Sequence, residues 1–365
     1  MGGYPVATGI VAIHGQERMG DVPEIHWRWI TAHEIGHQYW GEYVLEKDDS
    51  GWLWIGLGIY ADREYVRARS LSLEKHQKIM ERYINVVRKH VDTTVDITPE
   101  QRSDVDFDFN NVVIHGKGFS IISALACVLG RETFDRIYRR CLEQFGGRRL
   151  GAYEFQAVCE EETDQDLGWF FDQWLRSSRY PSYQITSQVC TKHNDGYRSR
   201  VRVESLGTLK MPVPIVTYFE DGTSQRRVTD RLLHVNILEF ASSAPLHEVR
   251  LDPDGELALV VPPPGPPPMP TTKDELRKRI RRMSITGAGK EALDLFTAAQ
   301  QLNLTDPDLW WRLGLALYDG SYYPKALIAW RRIGEFAEGD LDYSFISLVW
   351  QGHILDLLGR RQDAV

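Results

Sequence analysis

The stretch "HEIGHQYWGEYVLEKDDSGWLWIGLGIYAD", residues 33–62, contains the motif on which the interpretation of this sequence depends. His33 and His37 are four residues apart, so on a helix both imidazoles project from one face and can bind one divalent metal ion. Glu34 follows the first of them, where its carboxylate can take a proton from a metal-bound water molecule. The stretch therefore predicts a helix with two zinc ligands, His33 and His37, and a general base, Glu34.

The composition limits the class of protein. A chain of 365 residues with 42% hydrophobic and 26% charged residues is typical of a globular protein of two or three domains. Its net charge of −8 gives no reason to expect nucleic-acid binding, which needs a basic patch. The four cysteines, Cys127, Cys141, Cys159 and Cys190, lack the spacing of metal ligands, and we expect four reduced, buried thiols.

The sequence leaves the cellular compartment open. We expect no membrane span, because no apolar run reaches about 18 residues, and residue 1 does not begin a signal peptide. The cytoplasm is the default, but a segment upstream of residue 1 could carry a signal or an anchor.

Four regions follow from the pattern of apolar residues. Residues 1–180 begin with a β-like run and then show apolar residues at every third or fourth position, which is typical of helices. Residues 181–261 alternate apolar and polar residues between Asp-Gly turns, which predicts a small β-sandwich. The proline-rich stretch 262–270 indicates a stiff linker. Residues 271–365 are helical, so the sequence predicts a multidomain α+β protein.

The C-terminal region, residues 271–365, contains a repeated pattern. Ala292 and Ala326 are 34 residues apart, and an aromatic residue, Phe296 or Trp330, follows each of them. This spacing resembles the tetratricopeptide repeat; a generic helical bundle is the alternative. Arrays of such repeats bind peptides or proteins on a concave face, so we expect a protein partner for this region. The other residues that follow the repeat pattern are Trp310, Leu313 and Gly314.

The stretch 33–62 resembles the metal-binding motif of the aminopeptidase N-like zinc peptidases, the gluzincin group. Similar segments follow in order at residues 114–145, 166–175 and 251–255, so the resemblance covers about residues 3–260. It implies a mostly helical, thermolysin-like catalytic domain that binds zinc and a peptide or protein substrate. The residues that match the motif are His33, Glu34, His37, Gln38, Tyr39, Trp40, Gly41, Val44, Trp54, Ile55, Gly58 and Glu64.

The third zinc ligand of this family, a glutamate, is absent. Counting the family's spacing from His37 gives Gly56, and aligning Trp54 and Gly58 with the family's tryptophan and glycine gives Leu57. Neither side chain binds zinc, whereas catalytic zinc usually has three protein ligands. Leu57 is therefore the predicted position of the missing ligand, and we expect zinc to bind weakly or not at all.

Two further family residues are replaced. The tyrosine that stabilises the transition state aligns with His115, which can donate a hydrogen bond to an oxyanion or serve as a third metal ligand. The substrate loop aligns with the start of the chain, where Gly3 occupies the place of the glutamate that holds the substrate's amine. Gly3 and Tyr4 are therefore the predicted substrate-binding residues.

Two other acidic residues follow Leu57, and neither is expected to replace the ligand. Glu64 lies about 10 Å further along the helix and is expected to form a salt bridge. Asp62 points away from the face that carries Leu57.

The resemblance begins at the substrate loop, so most of the N-terminal sheet of the catalytic domain is missing, and we expect a fragment of a longer protein.

Three functional hypotheses remain. The leading hypothesis is a metallopeptidase homologue with weak or no hydrolytic activity. The alternatives are an active zinc hydrolase that uses His115 as a ligand, and an interaction protein that holds peptides along an edge strand without cleaving them.

Overall fold

The computed structural model describes residues 2–7, 10–14, 24–47, 51–97, 107–265, 268–283, 287–337 and 340–364, with residues 102, 105 and 285; of residues 2–27 it describes the backbone alone. The chain is a mixture of helices and small sheets, as the α+β prediction expects. It divides into two compact units. The first contains residues 1–90, 95–97 and 107–264, and the second contains residues 91–94, 98–106 and 265–365.

Helices dominate the first part of the first unit, as predicted. The helix α3 buries one face, with Ile79, Tyr83 and Val86, and exposes charged residues on the other. The helix α4 is apolar on all sides and is almost completely buried, so it lies in the core. The bounds are α1 Glu24–Tyr39, α2 Trp52–Ala68, α3 Glu74–Arg88, a π-helix Asn110–Lys117, α4 Gly118–Leu129, α5 Arg131–Phe145, α6 Ala152–Thr163 and α7 Gly168–Leu175.

The π-helix and α4 form one continuous helix, Asn110–Leu129, that is long and apolar enough to cross a membrane. Lys117 lies within this helix, so no uninterrupted apolar run of about 18 residues results, and the expectation of no membrane span stays a prediction. In the structure 67% of the most apolar window is buried inside the protein. This burial is typical of a core helix.

Small sheets make up the rest of the first unit. A hairpin of β1 (Gly2–Ala7) and β2 (Ile10–His14) lies beside α1. Two antiparallel three-stranded sheets follow α7, with strand orders β5-β6-β9 and β10-β7-β8. The other strands are β3 Leu45–Glu46, β4 Arg149–Leu150, β5 Tyr183–His193, β6 Gly196–Ser205, β7 Pro214–Phe219, β8 Ser224–Val228, β9 Val235–Ser242 and β10 Leu246–Leu251.

The second unit consists of helices packed in sequence. Gly314 of α10 lies against Trp330 of α11, since a Cβ at position 314 would be 2.9 Å from the indole Nε1. Ala292 and Ala326 are fully buried. The bounds are α8 Lys273–Arg282, α9 Gly289–Gln301, α10 Pro307–Asp319, α11 Tyr323–Phe336 and α12 Leu341–Leu357, with a short 3₁₀-helix Arg361–Asp363.

The cysteines only partly follow the prediction. All four are free, as expected, and Cys141 and Cys159 are buried. Cys190 is exposed and Cys127 is half-buried, so the expectation of four buried thiols is wrong. Cys190 lies on β5, an outer strand of its sheet, where only part of the strand is covered.

Candidate functional site

The helix α1 brings the two predicted zinc ligands together. His33 and His37 are 6% and 3% exposed, and their Nε2 atoms face each other at 3.1 Å. Two imidazole nitrogens that share a tetrahedral zinc ion at its usual bond length are about 3.3 Å apart. The pair therefore has the separation that two ligands of one metal ion require.

Burial sets the protonation state of both imidazoles. It lowers the pKa of His33 to about 4. It also lowers the pKa of His37 to about 3, where positive charge on His33 and His115 would add to the effect. Both rings are therefore neutral at pH 7, and neutral imidazole is the form that binds metals.

Close packing of α2 against α1 fixes the position of the histidine pair. A Cβ on Gly36 would lie 3.2 Å from the carbonyl oxygen of Gly58, and a Cβ on Gly58 would lie 3.2 Å from Cε1 of His37. The ring of Trp54, one turn before Gly58, contacts the ring of His37 at 4.8 Å between centroids. The absence of side chains at Gly36 and Gly58 lets the two helices approach this closely.

Asp62 is a site residue that the sequence interpretation missed. Its carboxylate Oδ2 accepts a hydrogen bond from Nδ1 of His33 at 2.8 Å, and the residue is 1% exposed. A carboxylate on Nδ1 fixes the tautomer that leaves the Nε2 lone pair free for a metal. The available signal was its spacing: Asp62 follows Trp54 and Gly58 at intervals of four residues and so shares their helix face.

Glu34, the predicted general base, is also buried. It is 2% exposed, and its Oε2 finds no hydrogen-bond partner among the residues described. Burial, and then the charge of Asp62, raises the pKa of Glu34 to about 7. A carboxyl group with this pKa can accept and release a proton near neutral pH.

His115 lies near the pair but does not join it. It is part of the π-helix, and its Nδ1 donates a hydrogen bond to the carbonyl of Asn110 at 2.8 Å. Its ring centroid is 6.4 Å from that of His33, whereas the centroids of His33 and His37 are 4.5 Å apart. Two imidazoles on one tetrahedral zinc have centroids about 5 Å apart. The His115 ring is therefore further from that of His33 than two ligands of one tetrahedral zinc ion would be.

Leu57, the predicted position of the missing ligand, lies on another side of α2. At about 100° per residue it is about 20° from Glu64 and about 140° from Asp62 around the helix. Glu64 and Tyr60 on that side contact α5, and Glu64 forms the predicted salt bridges, with Arg131 among its partners. Leu57 is fully buried, and on this geometry its side chain points toward α5.

Ile55 occupies the side of α2 that faces both α1 and the π-helix region. It lies about 20° from Asp62 around the helix. On one side of it Trp54 contacts His37, and on the other Gly56 packs against Gly118, whose carbonyl oxygen would be 2.8 Å from a Cβ at position 56. The assignment of the missing ligand to Leu57 stays a prediction, and this geometry adds Ile55 as a candidate.

The predicted substrate-binding residues lie on β1. The backbone of Gly3 pairs with Ile13 of β2 and that of Tyr4 with Ala12, and β1 contacts α1. The Tyr4 side chain is outside the described residues, so its role stays a prediction.

The donor set only partly fits a catalytic zinc ion. His33 and His37 supply two nitrogens at a suitable separation, with Asp62 behind one of them. Within the ranges that the structure describes, no group of three or more His, Cys, Asp or Glu side chains is arranged to hold a metal ion. The site therefore falls one protein ligand short of the usual three.

Comparison with known proteins shows a similarity to one family over part of the chain. Residues 24–174 match the model of the peptidase family M1 domain. Leucine aminopeptidase 2 of Coccidioides immitis is 27% identical over 168 residues, which cover 42% of this chain and 27% of that protein. Aminopeptidase N of Haemophilus influenzae is 23% identical over 211 residues, which cover 54% of this chain and 24% of that protein.

Two solved structures are also similar. One is Legionella pneumophila aminopeptidase A in complex with aspartic acid, with a TM-score of 0.45, 12% identity, and coverage of 91% of this chain and 39% of that chain. The other is an M1 zinc metallopeptidase of Deinococcus radiodurans, with a TM-score of 0.38, 16% identity, and coverage of 48% and 37%. The chain thus spans well under half of each relative or structure. Residues 24–174, which contain the paired histidines, therefore resemble the M1 peptidase domain of aminopeptidase N-like gluzincins.

Proposed function

We propose that this protein is a metallopeptidase homologue that binds zinc weakly or not at all and hydrolyses peptides slowly or not at all. One observation carries the proposal. Trp54 and Gly58 of α2 contact His37 and offer no donor atom to a metal, and Asp62 of α2 contacts His33.

Asp62 is not free to supply the missing ligand. Its Oδ2 accepts the hydrogen bond from His33, and its Oδ1 accepts one from His76 of α3. Turning a carboxylate oxygen toward a metal would leave a buried N–H group without an acceptor, at a cost of about 1–3 kcal/mol. This cost favours a metal site with only two protein ligands.

A peptidase assay tests the proposal. Purified protein is given excess zinc and a set of aminoacyl and internal peptide amides, and the Glu34→Gln variant serves as the matched control. We expect equal background rates for both proteins. Rapid hydrolysis by the wild type, with many turnovers per second, that Glu34→Gln abolishes would overturn the proposal.

A second candidate is an active zinc hydrolase with His115 as the third ligand. It is favoured by the hydrogen bond from Nδ1 of His115 to the Asn110 carbonyl, which leaves the Nε2 lone pair free, as in a metal ligand. His115→Ala should then remove bound zinc, and an unchanged zinc content in that variant would eliminate this candidate.

We also propose that residues 181–261 form a β-sandwich.

We further propose that residues 271–365 form tetratricopeptide-like repeats that bind a protein partner. The partner we expect carries an apolar helix. Supporting this, Leu341, Phe345 and Leu348 of α12 are 84%, 70% and 67% exposed and share one helix face. Selection of displayed peptides against the full chain tests it. Helical apolar binders should lose binding to a Leu348→Asp variant, and binders indifferent to this change would contradict the proposal.

A further inference from the structure

His76 lies behind the histidine pair, on the far side of Asp62. It belongs to α3, is 2% exposed, and its Nε2 is hydrogen-bonded to Oδ1 of Asp62. The other oxygen of the same carboxylate accepts the hydrogen bond from Nδ1 of His33 at 2.8 Å. One carboxylate therefore joins imidazoles from α1 and α3.

The hydrogen bonds to Asp62 determine which ring nitrogens of His33 and His76 carry protons. An ionised carboxylate only accepts hydrogen bonds, so His76 must carry a proton on Nε2 and His33 a proton on Nδ1. The Nε2 atom of His33 then has its lone pair directed toward His37. The remaining ring nitrogen of His76, Nδ1, is buried and has no hydrogen-bond partner in the described ranges. Among the described residues, the hydrogen bond to Asp62 is therefore the one that the His76 ring makes.

Packing holds His76 in the orientation that this hydrogen bond needs. Its ring lies 5.8 Å from the ring of Phe119 of the buried helix α4, measured between centroids. Without the N–H group of His76, Oδ1 of Asp62 would lose the hydrogen bond that this ring donates. The carboxylate could then rotate and release the His33 ring.

We propose that His76 is a positioning residue: through Asp62, it holds His33 in the Nδ1–H tautomer and in the orientation that faces His37. This role goes beyond the proposed function, because it holds whether or not the pair binds zinc.

The test is nitrogen NMR of ¹⁵N-histidine-labelled full-length protein, with the His33 signals assigned by their loss in a His33→Gln variant. His76→Gln keeps an N–H donor near the position of Nε2. His76→Phe removes the donor, and His76→Asn carries it on a shorter side chain that does not reach this position. Met80→Leu, one turn along α3 and also buried, is the packing control. We expect the Nδ1–H tautomer of His33 in the wild type, His76→Gln and Met80→Leu, and a mixture of tautomers in the other two variants.

Cobalt(II), added as a probe ion, gives a second readout. Loss of a partner behind a metal ligand typically weakens metal binding by about tenfold or more. Relative to the wild type, we expect that loss in His76→Asn but not in His76→Gln. If His76→Phe does not fold, the comparison of Asn with Gln decides. An unchanged His33 tautomer in the folded Asn and Phe variants, or a Gln variant that behaves like Asn, would overturn the proposal. Activity toward peptides would not affect it.

Discussion

The carboxylate of Asp62 accepts a hydrogen bond from Nδ1 of His33 at 2.8 Å and so links α2 to the first histidine of the motif. This contact joins residues that are 29 positions apart in the chain. It also supplies the most direct prediction about stability.

Replacing Asp62 should destabilise the protein through its two partners. Asp62→Ala leaves buried N–H groups of His33 and His76 without an acceptor, each at a cost of about 1–3 kcal/mol. We expect the free energy of unfolding in urea to fall by about 2–6 kcal/mol, and by about half of that in Asp62→Asn, which keeps one oxygen.

An exposed aspartate is the control for this comparison. Asp172 is 66% exposed and pairs with Arg176 one turn away. Asp172→Asn should leave the unfolding curve nearly unchanged, since exposed ion pairs contribute little. Equal losses of unfolding free energy in the Asp62 and Asp172 variants would show that the buried hydrogen bonds stabilise the protein no more than the exposed ion pair does.

The position of the missing ligand can be tested by adding a carboxylate. Ile55→Glu places one on the side of α2 that faces α1 and the π-helix, so zinc affinity should rise by at least tenfold in a chelator competition. Leu57→Glu directs its charge toward α5 from a fully buried position. It should lower the melting temperature without improving zinc binding. The opposite pattern would restore Leu57 as the ligand position.

Alanine substitutions at two helical glycines of the second unit should have opposite effects on stability. A Cβ at Gly314 would lie 2.9 Å from Nε1 of Trp330, so Gly314→Ala should cost about 1–3 kcal/mol through overpacking. A Cβ at Gly334 would make an ordinary contact, 3.5 Å from the hydroxyl of Ser347. Gly334→Ala should therefore stabilise the protein by about 0.5–1 kcal/mol through helix propensity. Urea denaturation measures both, and a destabilised Gly334→Ala variant would contradict the packing described.

The cysteines should differ in reactivity. Burial raises the pKa of Cys141 to about 12 and that of Cys159 well above its usual range, so both stay protonated at pH 8. The thiolate is the reactive form. Iodoacetamide should therefore label exposed Cys190 in the native protein, whereas Cys141 and Cys159 react only after unfolding. Peptide mass spectrometry measures this, and rapid native labelling of Cys141 would show that its surroundings are open.

The sequence predicted the histidine pair because its geometry is local. A spacing of four residues on one helix determines that His33 and His37 share a face, and no other element is needed. The helices up to Trp174 were predicted for the same reason, from their apolar periodicity.

Residues that act across helices could not be placed in this way. Asp62 does point away from the face of Leu57, as the sequence indicates, but the face that meets α1 is the one with Gly58. Which face of α2 is used depends on the close approach at two glycines. His76 belongs to a third helix, and nothing in its local sequence marks it as a partner of Asp62.

The metal content of the purified chain tests the central claim most directly. The protein is equilibrated with excess zinc, dialysed against buffer that contains a chelator of micromolar affinity, and analysed for metal by mass spectrometry. A site with only His33 and His37 as protein ligands should retain far less than one zinc ion per chain. One zinc ion per chain, lost in a His37→Ala variant, would contradict the account.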